Sequence, residues 1–193
     1  MFTPLPSFGD VFELRVCLRH IEPVVWRSLR VPATLPLNYL HDALQLAFGW
    51  KDCHLHDFRV GDISFGLPSL DDGMLSVHES AAPVGAVARA GSTFLYTYDF
   101  GDDWEHDITV ERMERQPGAG IVCTGGARAC PPEDCGGPLG YQLMLEALAD
   151  PRSERHAEMK AWVPRAFNAE KFDLAAVNKK LTTLSKRIAR LMK

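Results

Sequence analysis

The chain has 193 residues, 46% hydrophobic and 24% charged, with a net charge of −4. That is the composition of one soluble globular domain with enough apolar material for a sizeable core. No segment approaches the roughly 18 unbroken apolar residues of a membrane span. Residues 1–10 show neither a basic start nor an apolar run, so no secretory signal is expected. The charge is uneven. Residues 171–193 carry seven basic groups (Lys171, Lys179, Lys180, Lys186, Arg187, Arg190 and Lys193) against Asp173 alone, which leaves the rest near −10. An acidic body excludes a nucleic-acid reader spread over the whole surface, while the basic tail keeps a local nucleic-acid contact open. Cysteines at 17, 53, 123, 130 and 135 are odd in number and irregularly spaced, which points to reduced thiols in a cytoplasmic protein.

In chain order, residues 11–19 alternate, with Phe12, Leu14, Val16 and Leu18 on one side of a half-buried strand. Glu22-Pro23 turns the chain into a second strand at 24–31. Asn38 is expected to cap a helix in which Leu40, Ala43, Leu44, Ala47 and Phe48 share a face, with Gly49 ending it. Short strands are expected at 55–60 and 63–65, and a long connection from 68 to 91.

The central feature is the stretch 94–111, read as a hairpin around Gly101-Asp102-Asp103. Phe94, Tyr96, Tyr98 and Phe100 share one face of its first strand; Trp104, His106, Ile108 and Val110 share one on the second. Asp99, Asp102, Asp103, Glu105, Asp107 and Glu111 carry six carboxylates with no Lys or Arg among them. Such crowding costs free energy unless solvent, a cation or basic partners compensate it. A Gly-, Pro- and Cys-rich loop follows at 116–137. Helices are then predicted from Pro138 to about 149, from Asp150-Pro151 to about 162, and from Asp173 onward. The last carries Leu174, Val177, Leu181, Leu184, Ile188 and Leu191 as one stripe, expected to dock on the body and leave its lysines and arginines solvated. Strands first and helices last give α+β with a mostly antiparallel sheet, covered by one middle and three C-terminal helices. The expectation is a single domain, 1–193, with a core at about 11–170 and a basic amphipathic helix at about 173–192. Trp26, Leu44, Phe48, Trp50, Phe58, Tyr96, Trp104, Ile108, Tyr141 and Leu145 are expected in the core or lining a pocket.

Residues 96–106, then Ala129-Cys130-Pro131-Pro132-Glu133-Asp134-Cys135-Gly136-Gly137 and Gly140-Tyr141, resemble the signature of the plasmid pRiA4b ORF-three family. Val25-Trp26-Arg27-Ser28, Gly49-Trp50, His54 to Phe58, Phe172-Asp173 and Val177-Asn178 extend the resemblance over nearly the whole chain from Val11. It implies a small α+β fold with strands packed on helices, and no established activity. Some relatives are labelled as plasmid- or mobile-element-borne passenger or resolvase-like proteins; this chain has no serine-recombinase catalytic pattern.

Three constellations can carry chemistry. Asp99, Asp102 and Asp103 suit a divalent cation such as Mg²⁺ or a basic partner, although the spacing is not that of a calcium loop; their bland role is turn hydrogen bonding. Cys123, Cys130 and Cys135 with His106, His54 or His56 form a candidate zinc set. Their spacing lacks the paired knuckles of a zinc site, and the resemblance implies that some relatives lack the third cysteine; buried thiols are the commoner fate. His54 and His56, two apart, share one face with Phe58 if both lie on a strand. The glycines before Pro138 offer N–H groups to an anion, but Glu133 and Asp134 oppose one, which favours a helix-capping turn.

Two functions follow. The first is a cytoplasmic interaction module, binding a protein partner through Tyr98, Asp99, Asp102, Asp103, Trp104, Glu105, His106, Glu133 and Asp134 as one surface. The second is a metal-dependent hydrolase of phosphate esters or nucleic acid, in which Asp99, Asp102 and Asp103, with Glu133, Asp134, His54 and His56 converging on the same cleft, hold a cation that activates water while His106 handles a proton.

Overall fold

The computed structural model describes residues 9–67 and 75–191. Alternation in β1 (Asp10–Leu18) buries Phe12, Leu14, Val16 and Leu18, and β2 (Trp26–Pro32) pairs antiparallel with it. The remaining strands are β3 (His56–Val60), β4 (Ile63–Gly66), β5 (Leu75–His78), β6 (Thr93–Tyr98), β7 (Trp104–Arg115) and β8 (Val122–Ala127). They form one sheet in the order β5-β4-β3-β6-β7-β1-β2-β8, antiparallel except for β4 with β5. The protein is thus α+β with a mostly antiparallel sheet. Its helices are α1 (Leu37–Phe48), α2 (Val84–Val87), α3 (Gly137–Ala149), α4 (His156–Trp162) and α5 (Leu174–Leu191).

The acidic hairpin pairs Phe94 with Ile108, Tyr96 with His106 and Tyr98 with Trp104. All six side chains are buried. Phe100 departs from the expected face: it belongs to the turn and is 55% exposed. The opposite face of the sheet is polar, as a one-sided antiparallel sheet permits. There Arg19 of the segment after β1 pairs with Glu105 at 3.0 Å and Asp107 at 2.7 Å. The missing positive charge of the hairpin therefore comes from a neighbouring part of the chain.

Several boundaries differ from the sequence reading for local reasons. Helix α1 begins at Leu37 after Pro36, and Asn38 caps nothing; its buried side-chain oxygen has no partner. Gly49 does end the helix, in left-handed geometry with its N–H on the Gln45 carbonyl. The described part of the 68–91 connection holds β5, a 3-10 turn (Glu79–Ala81) and α2; residues 68–74 lie outside the described residues. Asp150 accepts the Arg152 N–H in a local turn, so α4 starts only at His156. Strand β8 was hidden by its two glycines. A Cβ at Gly126 would lie 2.6 Å from the Phe172 ring, so a bare backbone lets that ring in.

The ring covers Arg27, the least expected occupant of the core. Trp26 is half-buried beneath the Arg15 guanidinium, whereas Arg27 points inward and is 2% exposed. It donates to the carbonyls of Ala47 (2.8 Å), Trp26 (2.7 Å), Ala127 (2.9 Å) and Arg128 (2.9 Å), between the rings of Phe48 and Phe172. The Ala47 carbonyl lies in the last turn of α1, where a helix leaves carbonyls unpaired and favours a cation. Arg27 thereby fastens α1 to the end of β8. Of the other expected core residues, Leu145 is half-buried and the remainder are buried. In α5, Leu181, Leu184 and Ile188 are buried, while Lys179, Lys180, Lys186, Arg187 and Arg190 are exposed. Arg187 pairs with Asp42 of α1. No helix among the described residues is long and apolar enough to cross a membrane.

Candidate functional site

The β6–β7 turn is built from its own aspartates. Asp99 adopts φ 59° and Asp103 φ 55°, conformations that aspartate tolerates better than most residues. The Asp99 Oδ1 accepts the N–H groups of Gly101 (3.0 Å) and Asp102 (3.3 Å). Asp102 instead reaches across, its Oδ2 accepting the Gly136 N–H at 3.1 Å. A Cβ at Gly137, φ 68°, would lie 2.5 Å from the Asp102 carbonyl oxygen. The loop bounded by Cys130 and Cys135 is therefore docked on the acidic turn, and only glycine allows so close an approach.

Between turn and loop lies His54. Its Nε2 is 3.2 Å from Asp134 Oδ1, 3.5 Å from Asp99 Oδ2 and 3.9 Å from Glu133 Oε2. This nitrogen is sealed from solvent, and none of the three oxygens is aligned to hydrogen-bond with it. Two of the carboxylates are held by their other oxygen. Asp99 Oδ1 is engaged in the turn, and Glu133 Oε1 accepts the Lys51 N–H at 2.6 Å. Tyr98 adds a second tether, its hydroxyl donating to Glu133 (3.2 Å) and accepting the Cys53 N–H at 3.1 Å. Burial drives the Tyr98 hydroxyl far above its ordinary value, so it stays a proton donor. Asp99 and Glu133 are buried, Asp134 is exposed. Donor atoms of Cys53, His54 and Glu133 lie within 4.8 Å of one another, as do those of His54, Asp99 and Asp134.

The other sequence candidates lie elsewhere. Trp104 is core, and Glu105 faces Arg19 on the far side of the sheet. Asp103 is exposed beside the notch. His106 is fully buried, its Nδ1 3.3 Å from the Tyr96 carbonyl oxygen and its ring edge-on to Phe48. Cys123 donates to the Gly125 carbonyl. Burial raises the thiol pKa of Cys123 and Cys130, and pushes that of Cys135 up to about 12. Among the described residues these three thiols do not gather with a histidine at ligand distance.

His56 parts company with His54, which precedes β3. It stacks on His41, ring centroids 3.4 Å apart and 6° from parallel, with Nε2 2.9 Å from Glu79. His41 belongs to a closed ring of hydrogen bonds. The Gln45 amide donates to Tyr96 Oη (3.0 Å), leaving the phenol proton for His41 Nδ1 (2.8 Å). His41 Nε2–H then donates to Asp52 (2.9 Å), whose N–H returns to Gln45 (2.8 Å). Burial lowers the His41 pKa, first among its causes, which keeps this neutral arrangement. Donor atoms of His41, Asp52 and His56 are also within 4.8 Å, but parallel rings cannot aim two lone pairs at one ion: midway between them it would sit about 1.7 Å out of both planes, against a bond of about 2.0–2.1 Å. This second cluster is a satisfied polar network. A cavity of about 450 Å³ between α1 and α5, lined by Leu46, Trp50, Lys51, Asp52, Lys180 and Thr183 among others, meets the His54 notch only at Lys51, whose N–H holds Glu133.

His41, Asp52, Glu79 and Cys53 all escaped the sequence reading. A signal for His41 and Gln45 was available: they occupy the apolar stripe of α1, where a polar residue must find a buried partner.

Fold and notch together define an α+β protein with a one-sided sheet whose central acidic turn clasps a cysteine-bounded loop. The chain belongs to the plasmid pRiA4b ORF-3-like protein family, whose model matches residues 10–176. It is 40% identical over 186 residues to the uncharacterized protein y4hQ of Sinorhizobium fredii (strain NBRC 101917 / NGR234), covering 94% of this chain and 96% of that one. The fold is similar to the crystal structure of MM3350, a protein of unknown function from Methanosarcina mazei Go1. That match has a TM-score of 0.79 and 31% identity, and covers 87% of this chain and 97% of the other.

Proposed function

We propose that the protein is a cation-dependent binding module whose working site is the notch around His54. One observation carries this reading. A solvent-sealed imidazole nitrogen without a hydrogen bond faces three carboxylate groups at 3.2–3.9 Å. Buried polar atoms are ordinarily partnered, and a divalent ion would take the nitrogen's lone pair while neutralising the carboxylates. Prior fixing of Asp99 and Glu133 by backbone N–H groups supports it, since outer hydrogen bonds of that kind orient metal ligands. Exposed Leu55 and Phe100 adjoin the site, for the Leu55 carbonyl accepts the Asp99 N–H at 2.8 Å. They give a protein partner an apolar footing beside the acidic rim of Asp103 and Asp134.

Elemental analysis of the purified protein tests this, together with melting curves in chelator and in added Mg²⁺, Mn²⁺ and Zn²⁺. An ion at a hundred times its Kd should stabilise the fold by about 2.7 kcal/mol, and His54→Ala should abolish the shift. No bound metal and no shift with any of the three ions would remove the reading.

A further inference from the structure

We infer that Cys53 is a thiolate ligand of that ion, so that the centre takes a zinc-class transition metal rather than Mg²⁺ or Ca²⁺. This rests on the notch being a cation site. The two donor groups there share His54 but not their other members: Cys53 with Glu133 on one side, Asp99 with Asp134 on the other. Three features favour the side with sulfur.

The first is anchoring. Cys53 and Glu133 meet on one phenol: Tyr98 Oη accepts the Cys53 N–H at 3.1 Å, donates to Glu133 at 3.2 Å and lies 3.7 Å from Cys53 Sγ. Glu133 has a further tie to the Lys51 N–H. Asp134, on the other side, is 72% exposed at its side chain and has no comparable anchor among the described residues. The second is donor type. Both sets bring two anions to balance a divalent ion, but only this one adds sulfur to the imidazole nitrogen, the pairing that holds zinc-class metals. The third is accessibility. Cys53 is the exposed thiol among the five, open to an entering ion. Tetrahedral zinc bonds of about 2.0–2.3 Å set neighbouring ligand atoms roughly 3.3–3.7 Å apart; the 3.9 Å from His54 Nε2 to Glu133 Oε2 needs only a small contraction, so spacing admits this side, as it admits Asp99 and Asp134 at 3.5 and 3.2 Å. Three protein ligands leave a fourth position for water or a partner's group, as in zinc sites that are not purely structural. Thiolate and imidazole together select zinc, cobalt and their neighbours; Mg²⁺ and Ca²⁺ prefer all-oxygen shells.

Cobalt(II) titration of the full-length protein under reducing conditions tests the assignment, because a thiolate–cobalt bond gives a near-ultraviolet charge-transfer band that oxygen and nitrogen ligands do not. The band should appear at one equivalent and vanish in Cys53→Ser, with Zn²⁺ affinity falling by at least the roughly tenfold that loss of an outer-sphere partner causes. It should survive in Cys130→Ser, Cys135→Ser and Asp134→Asn. Cobalt bound at His54 without the band, or a band lost with Cys130 or Cys135 instead, would overturn the thiolate assignment while leaving the cation site intact. No cobalt bound to the wild-type protein would overturn both.

Discussion

Lowering the pH should destabilise this fold through His106 in particular. The ring is fully buried against Phe48 and Tyr96, and its Nε2 has no partner. Burial, the leading cause, pulls its pKa from 6.5 down to about 4, against the small upward pull of the Tyr96 and Trp104 carbonyls. The folded state therefore refuses a proton that the unfolded chain accepts. Stability is fully present above the unfolded value, is lost as pH falls from there, and the loss levels off below the folded value. The gap between 6.5 and about 4 corresponds to about 3 kcal/mol. Urea unfolding of wild type and His106→Leu at about pH 7.5 and about pH 4 isolates the effect, since the remaining titrating groups are common to both proteins. His41 contributes with the same sign in each, because its pKa is also lowered. Wild type should lose about 3 kcal/mol more than the variant over that interval. Equal losses in the two proteins would mean that the imidazole takes up its proton in place, and the argument from burial would be wrong.

Three further outcomes follow from the packing. Arg27→Met should cost at least about 3 kcal/mol, since it strands the buried Ala47 carbonyl and three part-buried ones, with a buried unpaired group costing roughly 1–3 kcal/mol; Arg27→Lys should recover less than half, because an ammonium cannot span the planar fork. Denaturant midpoints for the pair check this, and full rescue by lysine would show that charge alone suffices. Trp104→Ala should lose about 3–5 kcal/mol, and an unchanged melting curve would contradict its place at the centre of the core. Gly137→Ala, at φ 68° against the Asp102 carbonyl, should cost at least the roughly 1–2 kcal/mol of a left-handed residue. It should also weaken zinc-induced stabilisation by parting the loop from the turn; zinc-dependent melting measures both.

What could be read in the sequence was whatever repeats with a period. Alternation in β1, β6 and β7 and the middle of the α5 stripe marked which side chains face inward, because burial of one face is decided residue by residue along a regular backbone; the ends of that stripe did not follow, for Leu174 and Leu191 are exposed. That same parity placed His106 among aromatics and Glu105 away from them, as the structure has it. Period fails where the backbone bends. His54 and His56 looked like neighbours on one strand face, yet β3 begins only at His56. The bend before it sends His54 to the acidic turn and His56 to His41, giving two imidazoles different partners and different chemistry. Strand β8 failed for a related reason: Gly125 and Gly126 carry no side chain to alternate, and their purpose is visible only once Phe172, distant in sequence, is seen to lie against Gly126.

The site shows a deeper limit. Carboxylate density marks the turn, but density alone cannot separate an aspartate tied to the next loop from one that turns an oxygen toward a histidine. Asp102 and Asp99 look alike in sequence. In space, Asp102 Oδ2 is occupied by the Gly136 N–H, whereas Asp99 uses Oδ1 on the turn and keeps Oδ2 toward His54. The distinction depends on which oxygen a backbone N–H has already taken, and that is set by contacts between segments some thirty residues apart. Cys53 was passed over for the same reason. Three cysteines close in sequence suggest a thiolate site, yet burial raises their pKa values and none of them meets a histidine at ligand distance among the described residues. The thiol with a histidine beside it and a glutamate across from it had no partner nearby in the chain except His54 itself.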